Sequence, residues 1–348
     1  MKLKNETKNT LFATSAYILS FMHLDHVIGE KHKGVGAIIV FHSVVENADY
    51  FFNDELRTNI TYLDKIIKYF LMNRIDILSL DSLVERLKSG VRRPFVVFTF
   101  DDGFKDNLNL ALPIFENYRA PFTVYVTNCM SRGDIDNWWS GLAQIIRMQD
   151  KVTVDELGMT FQATSRREKS NLYSILKEKI SNSVLSKEGL AILFKKYSVN
   201  LSSIIKNEAM SEEEIRRLSS SPFVNIGGHT VSHPHLSRLD ADEARRELLE
   251  NKLWLENLID QEVRHVAYPF GGIMSCGPRE AQLAKEVGFK TGVTTRIGNL
   301  FEEHLDHLAA LPRIRPFNKY KNTRLIEFQV SGGAGALLNR ARGPVVTM

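Results

Sequence analysis

The stretch PFVVFTFDDGFKD at residues 94–106 decides the fold. Its apolar and β-branched part, residues 95–100, is too short for a helix and has no 3.6-residue period, so it predicts a buried strand. The strand ends at Asp101 and Asp102, which are followed by Gly103. Two adjacent carboxylates at the end of a buried strand repel each other, and a bound cation is the simplest way to stabilise them. We therefore expect further ligands of that cation elsewhere in the chain.

The composition excludes several classes of protein. Of the 348 residues, 43% are hydrophobic and 25% are charged, which is ordinary for a globular protein. No stretch approaches the ~20 consecutive apolar residues of a membrane span, although contact with a membrane surface stays open. The net charge of +4 comes from scattered Lys and Arg, so nucleic-acid binding gains little support. Cys129 and Cys276 lack CxxC spacing, which argues against a disulfide framework or a cysteine zinc site.

The first 22 residues faintly resemble a secretory signal peptide. Basic residues precede an apolar run, but the run contains Thr and Ser and no A-x-A-like cleavage site follows it. We expect residues 1–34 to form an N-terminal helical segment that packs on the surface. A cytoplasmic location is favoured, and a secreted or periplasmic one stays open.

Short apolar runs alternate with helical patterns along most of the chain. The strand-like runs lie at residues 35–41, 95–100, 122–127, 223–227, 263–268, 291–295 and 311–314. Alternating strands and helices predict parallel pairing, and about seven strands approach the eight of a barrel with its active site at the carboxyl ends. We predict an α/β fold, a distorted (β/α) barrel of about seven parallel strands at residues 35–320. A mainly helical insertion without a convincing strand is expected at about 135–214, and a C-terminal tail at 321–348.

The best partners for the two aspartates are His229 and His233. These imidazoles lie four residues apart, in a turn that follows the strand-like sequence VNIGG, so both can face one side. Two histidines and one carboxylate form the three-ligand set that leaves a catalytic zinc open to water. HxxxH spacing alone is more often found in hydrogen-bonded structural histidines. The acid pair on a neighbouring strand makes the metal site the better interpretation.

Four motifs resemble those of the polysaccharide deacetylase family, carbohydrate esterase family four. They are TFDDG at 99–103, HTVSHP at 229–234, AYPFGG at 267–272 and LPRI at 311–314. The likeness in order and spacing runs from about residue 35 to residue 314. It implies a distorted barrel and a metal-dependent enzyme that removes N- or O-acetyl groups from sugars.

The resemblance also implies roles for single residues. Asp101 would be the general base, and Asp102 a metal ligand together with the two histidines. A metal-activated water needs a nearby base that is not itself a ligand, and two adjacent aspartates supply one of each. The backbone N–H of Phe270 would stabilise the oxyanion, and Pro269 would fix the turn because its φ is locked. Tyr268 beside them is expected to be an oxyanion or substrate residue. Zinc is the expected metal, and cobalt, nickel or manganese would fit similar ligands.

The chain departs from the commonest family pattern at two positions. Ala267 stands where many members have an arginine that orients the base, and we expect Arg313 at a later strand end to replace it. The last motif lacks the histidine that many members use as general acid. His42, at the end of the first strand, or His307 could take that role. A locally hydrogen-bonded His42 is an equally good interpretation.

Trp138 and Trp139 begin the insertion and allow two interpretations. An aromatic pair above a barrel can stack on sugar rings, but tryptophans more often fix a loop to a core. We expect a metal-dependent hydrolase whose partner is an acetylated sugar or glycan, most simply an N-acetylated one. The alternatives are an O-deacetylase and a non-catalytic glycan-binding relative that retains the metal site.

Overall fold

A computed structural model describes residues 29–46, 56–90, 93–134, 138–181, 184–318, 321–339 and 343–348. Residues 1–28 of the N-terminal helical segment predicted at residues 1–34 lie outside these ranges. The described strands are β1 (Gly36–Phe41), β2 (Ser43–Val45), β3 (Arg57–Asn59), β4 (Asp76–Leu78), β5 (Phe95–Phe100), β6 (Phe122–Val126), β7 (Lys151–Val154), β8 (Met159–Gln162), β9 (Val224–Gly228), β10 (His265–Ala267), β11 (Thr291–Ile297) and β12 (Leu311–Arg313). The described α-helices are α1 (Ile60–Met72), α2 (Leu80–Ser89), α3 (Leu112–Asn117), α4 (Asn128–Arg132), α5 (Trp138–Met148), α6 (Arg166–Ser181), α7 (Lys187–Lys196), α8 (Leu201–Glu208), α9 (Glu212–Ser219), α10 (Ala241–Ile259), α11 (Pro278–Val287), α12 (Thr323–Val330) and α13 (Gly333–Leu338).

Seven parallel strands form a nearly closed barrel, as predicted. Their order is β1-β5-β6-β9-β10-β11-β12, and β4 pairs with β5 outside this path. The ring is completed next to β12, where Ile314 donates a hydrogen bond to Ile38 (2.8 Å) and accepts one from Val40 (2.9 Å). All seven runs identified in the sequence are strands, because short apolar runs of this kind are typical of strands buried on both faces.

Alternate residues of the barrel strands belong to two different apolar clusters. Phe41, Phe98 and Phe100 pack with buried residues of α1, such as Ile66, in a layer between strands and helices. Their strand neighbours form a second cluster with α2, which includes Ile38, Val97, Tyr125, Ala267, Val293 and Leu311. Since side chains alternate across a strand, the second cluster fills the barrel interior.

Helix α10 packs against β9, whose carboxyl end leads into the histidine turn. It begins with a capping box in which Asp240 accepts from the Glu243 backbone and Glu243 accepts from the Asp240 backbone. Its buried face is mostly apolar but includes Asn251, whose residue exposure is 0%. A fully buried amide on this face must find polar partners, and it finds them in the site described below.

The insertion has its own small core. Helices α5, α6 and α7 bury Leu142, Leu176 and Leu193 together in a cluster separate from the barrel. The expectation of no strand in this segment is wrong, because β7 and β8 form an antiparallel hairpin. Each has only four residues and β8 has none that is buried, so neither left a clear apolar pattern. The segment rejoins the barrel where Met210 donates to Gly103 O (3.1 Å).

Three further strands and helix α12 were not predicted, and the short terminal helix expected after residue 335 begins earlier, at Gly333. β2 and β3 form a small parallel sheet, and β4 lies beside β5. These strands have three residues each, which is too short for a periodic signal. Within the segment predicted as a tail, α12 and α13 bury Leu325, Phe328 and Ala334. None of the described helices is long and apolar enough to cross a membrane.

Candidate active site

The polar strand ends predicted to form a site meet at one edge of the barrel. Asp101 and Asp102 follow β5, His229 follows β9, His42 follows β1 and Arg313 ends β12. The first and last of these strands are neighbours because the barrel closes, so residues distant in sequence come together. This edge is the carboxyl end of every parallel strand, where sites of such barrels are found.

Asp102, His229 and His233 bring three possible metal ligands together. Asp102 Oδ1 lies 3.3 Å from His229 Nε2 and 3.4 Å from His233 Nε2. The three ligand atoms all lie within 4.8 Å of one another. Two atoms that are each about 2.1 Å from a tetrahedral metal are about 3.4 Å apart, so the two carboxylate distances match one shared ion. The residues present therefore fit a divalent cation such as zinc.

Four residues of this site, none of them glycine, have a strained backbone conformation. Asp102 has φ 76°, Thr230 φ 64°, His233 φ 57° and Phe270 φ 61°. Residues other than glycine seldom adopt this left-handed region, and each such residue costs of order 1–3 kcal/mol. Contacts with the surrounding elements must therefore stabilise these conformations.

Hydrogen bonds fix the orientation of His229. Its Nδ1 lies 2.7 Å from Ala267 O on β10, so Nδ1–H donates to the carbonyl and Nε2 is left to face Asp102. Its backbone N–H donates to Asn251 Oδ1 (2.8 Å), and the Asn251 amide donates to Val126 O (3.0 Å). Ala267 thus contributes a backbone carbonyl at the position where the commonest family pattern has an arginine side chain.

Glu247 on α10 holds the turn between the two histidines. Its Oε2 accepts from the backbone N–H groups of Val231 and Ser232, both at 2.9 Å, and its Oε1 accepts from Ser232 Oγ at 2.6 Å. From the other side, Thr127 Oγ1 donates to Thr230 O (2.9 Å). The turn is therefore held by side chains from helix α10 and from the residue that follows β6.

Asp101 and Arg313 form a buried ion pair. Arg313 Nη1 donates to Asp101 Oδ1 and Nη2 donates to Oδ2, each at 2.7 Å, in a bidentate arrangement. The residues are 2% and 1% exposed. Arg313 Nε donates to Thr294 O (2.8 Å), and the guanidinium lies 5.9 Å from the centre of the Tyr125 ring. The two residues that the sequence analysis paired are therefore in direct contact.

The pKa values of the two aspartates are lowered for different reasons. Burial alone would raise the pKa of Asp101, but the charge and hydrogen bonds of Arg313 outweigh it and the pKa lies below the usual value. For Asp102, burial is outweighed by hydrogen bonds from His229 and His233, which hold the pKa well below the usual range. Despite its burial, His229 has a raised pKa, mainly because of its bond to Asp102. Both carboxyl groups are thus ionised at neutral pH.

His42 lies beside Asp101 without a direct hydrogen bond. The distance from His42 Nε2 to Asp101 Oδ2 is 3.9 Å, which is too long for one. Burial lowers the pKa of His42, although Asp102 and Asp101 oppose that shift. His42 is therefore at the site and neutral at pH 7. His307, the alternative acid, is exposed on the segment Glu302–Ala310, where it lines a small surface cavity with residues of α11.

The three residues of the third motif that were expected to contribute to the site lie in different surroundings. Phe270 is 49% exposed, its ring stacks on His235 (3.9 Å between centroids) and meets His233 edge-on, and its backbone N–H makes no hydrogen bond with any described residue. Pro269 O accepts from Gly271 N–H (2.7 Å), which closes a γ-turn around Phe270. The substrate role considered for Tyr268 needs correction. Its side chain is 0% exposed and donates to Ala309 O (2.8 Å), so it is a core residue that cannot contact a substrate.

The two tryptophans are associated with the insertion. Their rings meet edge-on at 5.9 Å, and Trp138 packs against the core of the insertion. Helix α5, which carries them, packs on α6, α7 and α8. Trp138 thus helps to hold the insertion's own fold, and sugar stacking stays a prediction for both tryptophans.

Glu247 and Asn251 are the site residues that the sequence analysis missed. They lie on a helix rich in Glu and Arg, and such a composition predicts a helix that faces solvent. Nothing in the sequence separates Glu247 from Glu243 or Glu250 on the same helix. The one available signal was Asn251, a polar residue at a spacing that places it on the apolar face.

Comparisons with known proteins agree with this architecture. A family model described as polysaccharide deacetylase matches residues 149–292, which include both histidines and the third motif but not the acid pair. No curated protein sequence matches the chain.

Three of the similar solved structures illustrate the likeness. The deacetylase PplD of Streptococcus pyogenes is 18% identical, with a TM-score of 0.55 over 84% of this chain and 97% of that one. A polysaccharide deacetylase from Bacillus cereus is 16% identical, with a TM-score of 0.51 over 83% and 68%. A de-N-acetylase from Aggregatibacter actinomycetemcomitans is 13% identical, with a TM-score of 0.52 over 84% and 99%.

At these identities the solved structures show a shared fold, and the family model adds a match in sequence. Together they confirm the resemblance of this chain to the polysaccharide deacetylase family.

Proposed function

We propose that this protein is a metal-dependent hydrolase that removes acetyl groups, most simply N-acetyl groups, from a sugar or polysaccharide. The observation that carries the proposal is the division of labour at the end of β5. Asp102 faces two imidazoles at distances suited to one cation, while Asp101 is bound to Arg313 and is not part of that ligand set. The family model and the de-N-acetylase among the structural neighbours support the substrate class.

A divalent cation held by Asp102, His229 and His233 would supply Lewis acidity toward the acetyl carbonyl and would lower the pKa of a bound water. Asp101 is the residue that accepts the water proton. It is ionised at neutral pH because of Arg313, and each of its oxygens keeps an acceptor position beyond the bond to the guanidinium. Because its lowered pKa makes it a weak base, Asp101 depends on a water that is already acidified.

The remaining residues act on the carbonyl oxygen and on the leaving amine. After water oxygen attacks the acetyl carbon, the backbone N–H of Phe270 is a suitable donor to the oxyanion, since it has no partner among the described residues. Breaking the carbon–nitrogen bond then releases acetate and requires a proton on the amine. His42 is our candidate for guiding that proton because it lies at the site beside Asp101.

Release of acetate is the experiment that tests this function. The protein would be supplied with zinc and incubated with N-acetylated and with O-acetylated oligosaccharides, and free acetate would be measured. We expect acetate from an N-acetylated substrate, loss of the activity with a chelator, and recovery on adding zinc back. The control is Asp101→Asn, which should retain zinc but release no acetate.

Two other outcomes would redirect the proposal. Acetate from O-acetylated substrates alone would identify an O-deacetylase. No acetate from any acetylated glycan, with zinc bound at the three ligands, would favour a glycan-binding relative. The specific reason to test this second function is the absence of the last motif's histidine, together with the lowered pKa of His42, which leaves little of its imidazole in the protonated, acidic form at pH 7.

A further inference from the structure

We infer that Glu247 is a positioning residue for the two histidine ligands, so that metal affinity depends on a carboxylate outside the ligand set. The inference rests on the proposed metal site and adds a residue to it. It is carried by three hydrogen bonds that Glu247 accepts from Val231 and Ser232, two of the three residues between the histidine ligands.

In the turn that Glu247 holds, the residues on either side of Val231 and Ser232 have strained backbone conformations. Thr230 and His233 both have positive φ, at 64° and 57°. The amides of Val231 and Ser232 consequently point in one direction, where a single carboxylate oxygen accepts from both at 2.9 Å. Without that acceptor the turn would lose its only described partner for these two amides, and the strained residues would be free to relax.

Relaxation of the turn would move ligand atoms. His233 is placed by its own backbone conformation and by a hydrogen bond from its N–H to Thr230 Oγ1 (3.1 Å). His229 is held more firmly, because Ala267 O fixes its ring and Asn251 Oδ1 fixes its backbone. We therefore expect loss of Glu247 to displace His233 relative to Asp102 while His229 stays in place.

The chemistry of the acceptor explains why a carboxylate is present. Oε2 accepts two bonds and Oε1 accepts the third, so Glu247 acts as an acceptor at both oxygens. Glutamine has one acceptor oxygen, and its amide group would face a donor in this arrangement. Glu247→Gln should therefore retain the volume of the side chain but lose part of its effect, and Glu247→Ala should lose all of it.

The test measures zinc affinity rather than turnover. Wild type, Glu247→Gln and Glu247→Ala would be stripped of metal and titrated with zinc against a fluorescent chelator. Partners that orient ligands from outside the ligand set typically contribute about 10- to 100-fold to metal affinity. We expect Glu247→Ala to bind zinc about 10- to 100-fold more weakly, with Glu247→Gln between it and wild type. Glu250→Gln is the matched control, because Glu250 is exposed on the same helix and has no described partner, and it should bind as wild type does.

A second readout separates positioning from a general loss of stability. Amide hydrogen exchange of the metal-free proteins should show faster exchange at residues 231 and 232 in Glu247→Ala, with protection of the barrel strands unchanged. Zinc affinity within twofold of wild type in both variants would overturn the inference while leaving the proposed function intact. If wild type itself bound no zinc, both the inference and the proposed function would fail. If Glu247→Ala did not fold, Glu247→Gln would decide, since equal affinity there would overturn the inference.

Discussion

The two aspartates at the end of β5 are adjacent in sequence but lie in different surroundings. Asp101 is 2% exposed, and both of its oxygens are bound by Arg313 inside the barrel. Asp102 turns outward with a positive φ and has two imidazoles as its neighbours. We call these two surroundings the Asp101 half and the Asp102 half of the site. In the Asp101 half, Arg313 balances the charge of the carboxylate within the protein. In the Asp102 half, the carboxylate and two imidazoles form a ligand set suited to a cation. In the proposed function, the sharp turn at Asp102 lets one short motif supply both a base and a metal ligand.

The sharpest test of this difference compares the same substitution at both positions. Asp101→Asn and Asp102→Asn should each lower acetate release by at least about 100-fold, because each removes a group that the reaction needs. Only Asp102→Asn should also weaken zinc binding. Its effect should exceed the loss of about 10- to 100-fold that is typical of removing a residue outside the ligand set. Zinc titration of the two variants checks this, and equal zinc affinities would contradict the division.

Removing the partner of Asp101 should destabilise the protein. Arg313→Met leaves a buried carboxylate without its counter-charge, and breaking a buried pair in this way costs about 3–5 kcal/mol. The double variant Arg313→Met with Asp101→Asn should recover most of that loss, because no lone charge then remains. Chemical denaturation of the four metal-free proteins measures the coupling, and additive effects would show that the pair does not act as a unit.

Substitution of His42 addresses proton transfer in the Asp101 half. If His42 guides a proton to the leaving amine, His42→Ala should lower turnover by about 100-fold, the lower end for acid–base residues. Zinc affinity and thermal stability should stay close to those of wild type. Unchanged turnover in a folded, zinc-bound variant would remove His42 from the mechanism.

The smallest effect concerns Asp106, a carboxyl near the same strand end that belongs to neither half. Burial raises the pKa of Asp106 to about 6, with Ser43 Oγ donating to it at 2.5 Å. Because the pKa is higher in the folded than in the unfolded state, the native protein binds the proton more tightly. This tighter proton binding stabilises the folded protein below about pH 4, and the stabilisation is lost as the pH rises through about 6.

Asp106→Asn removes this titration and should therefore stabilise the metal-free protein at pH 7.5. We expect about 1–2 kcal/mol, less than the full shift implies because the side chain is only partly buried. The difference from wild type should largely disappear near pH 3.5, below the pKa of an aspartate in the unfolded chain. Urea denaturation at the two pH values measures it, and an equal difference at both would contradict the assigned pKa.

Much of the fold could be predicted because the barrel strands are short apolar runs with polar residues at their ends. The same pattern identified Asp101, Asp102, His42 and Arg313, since carboxyl ends of parallel strands meet at one edge. Pairing of Asp101 with Arg313 was inferred because the family's usual arginine position holds Ala267 and an ionised aspartate base needs a cationic partner. The four-residue strands β7 and β8 were missed because so short a pattern has little period to detect.

The supporting residues could not be predicted for a different reason. Glu247 acts through the direction of two backbone amides, and that direction depends on the left-handed residues Thr230 and His233. Sequence pattern does not reveal positive φ at residues other than glycine. Tyr268 was misassigned for a related reason. Adjacent residues in a strand point to opposite faces, and the side that Tyr268 takes depends on where the strand ends.

The central claim is that Asp102 binds the metal and Asp101 does not. A crystal structure of the zinc-loaded protein, with anomalous scattering recorded at the zinc edge, tests it directly. We predict one zinc with Asp102, His229 and His233 at about 2.0–2.2 Å, and Asp101 still bound to Arg313. A zinc ion bound by Asp101, or one placed away from these three residues, would contradict the account.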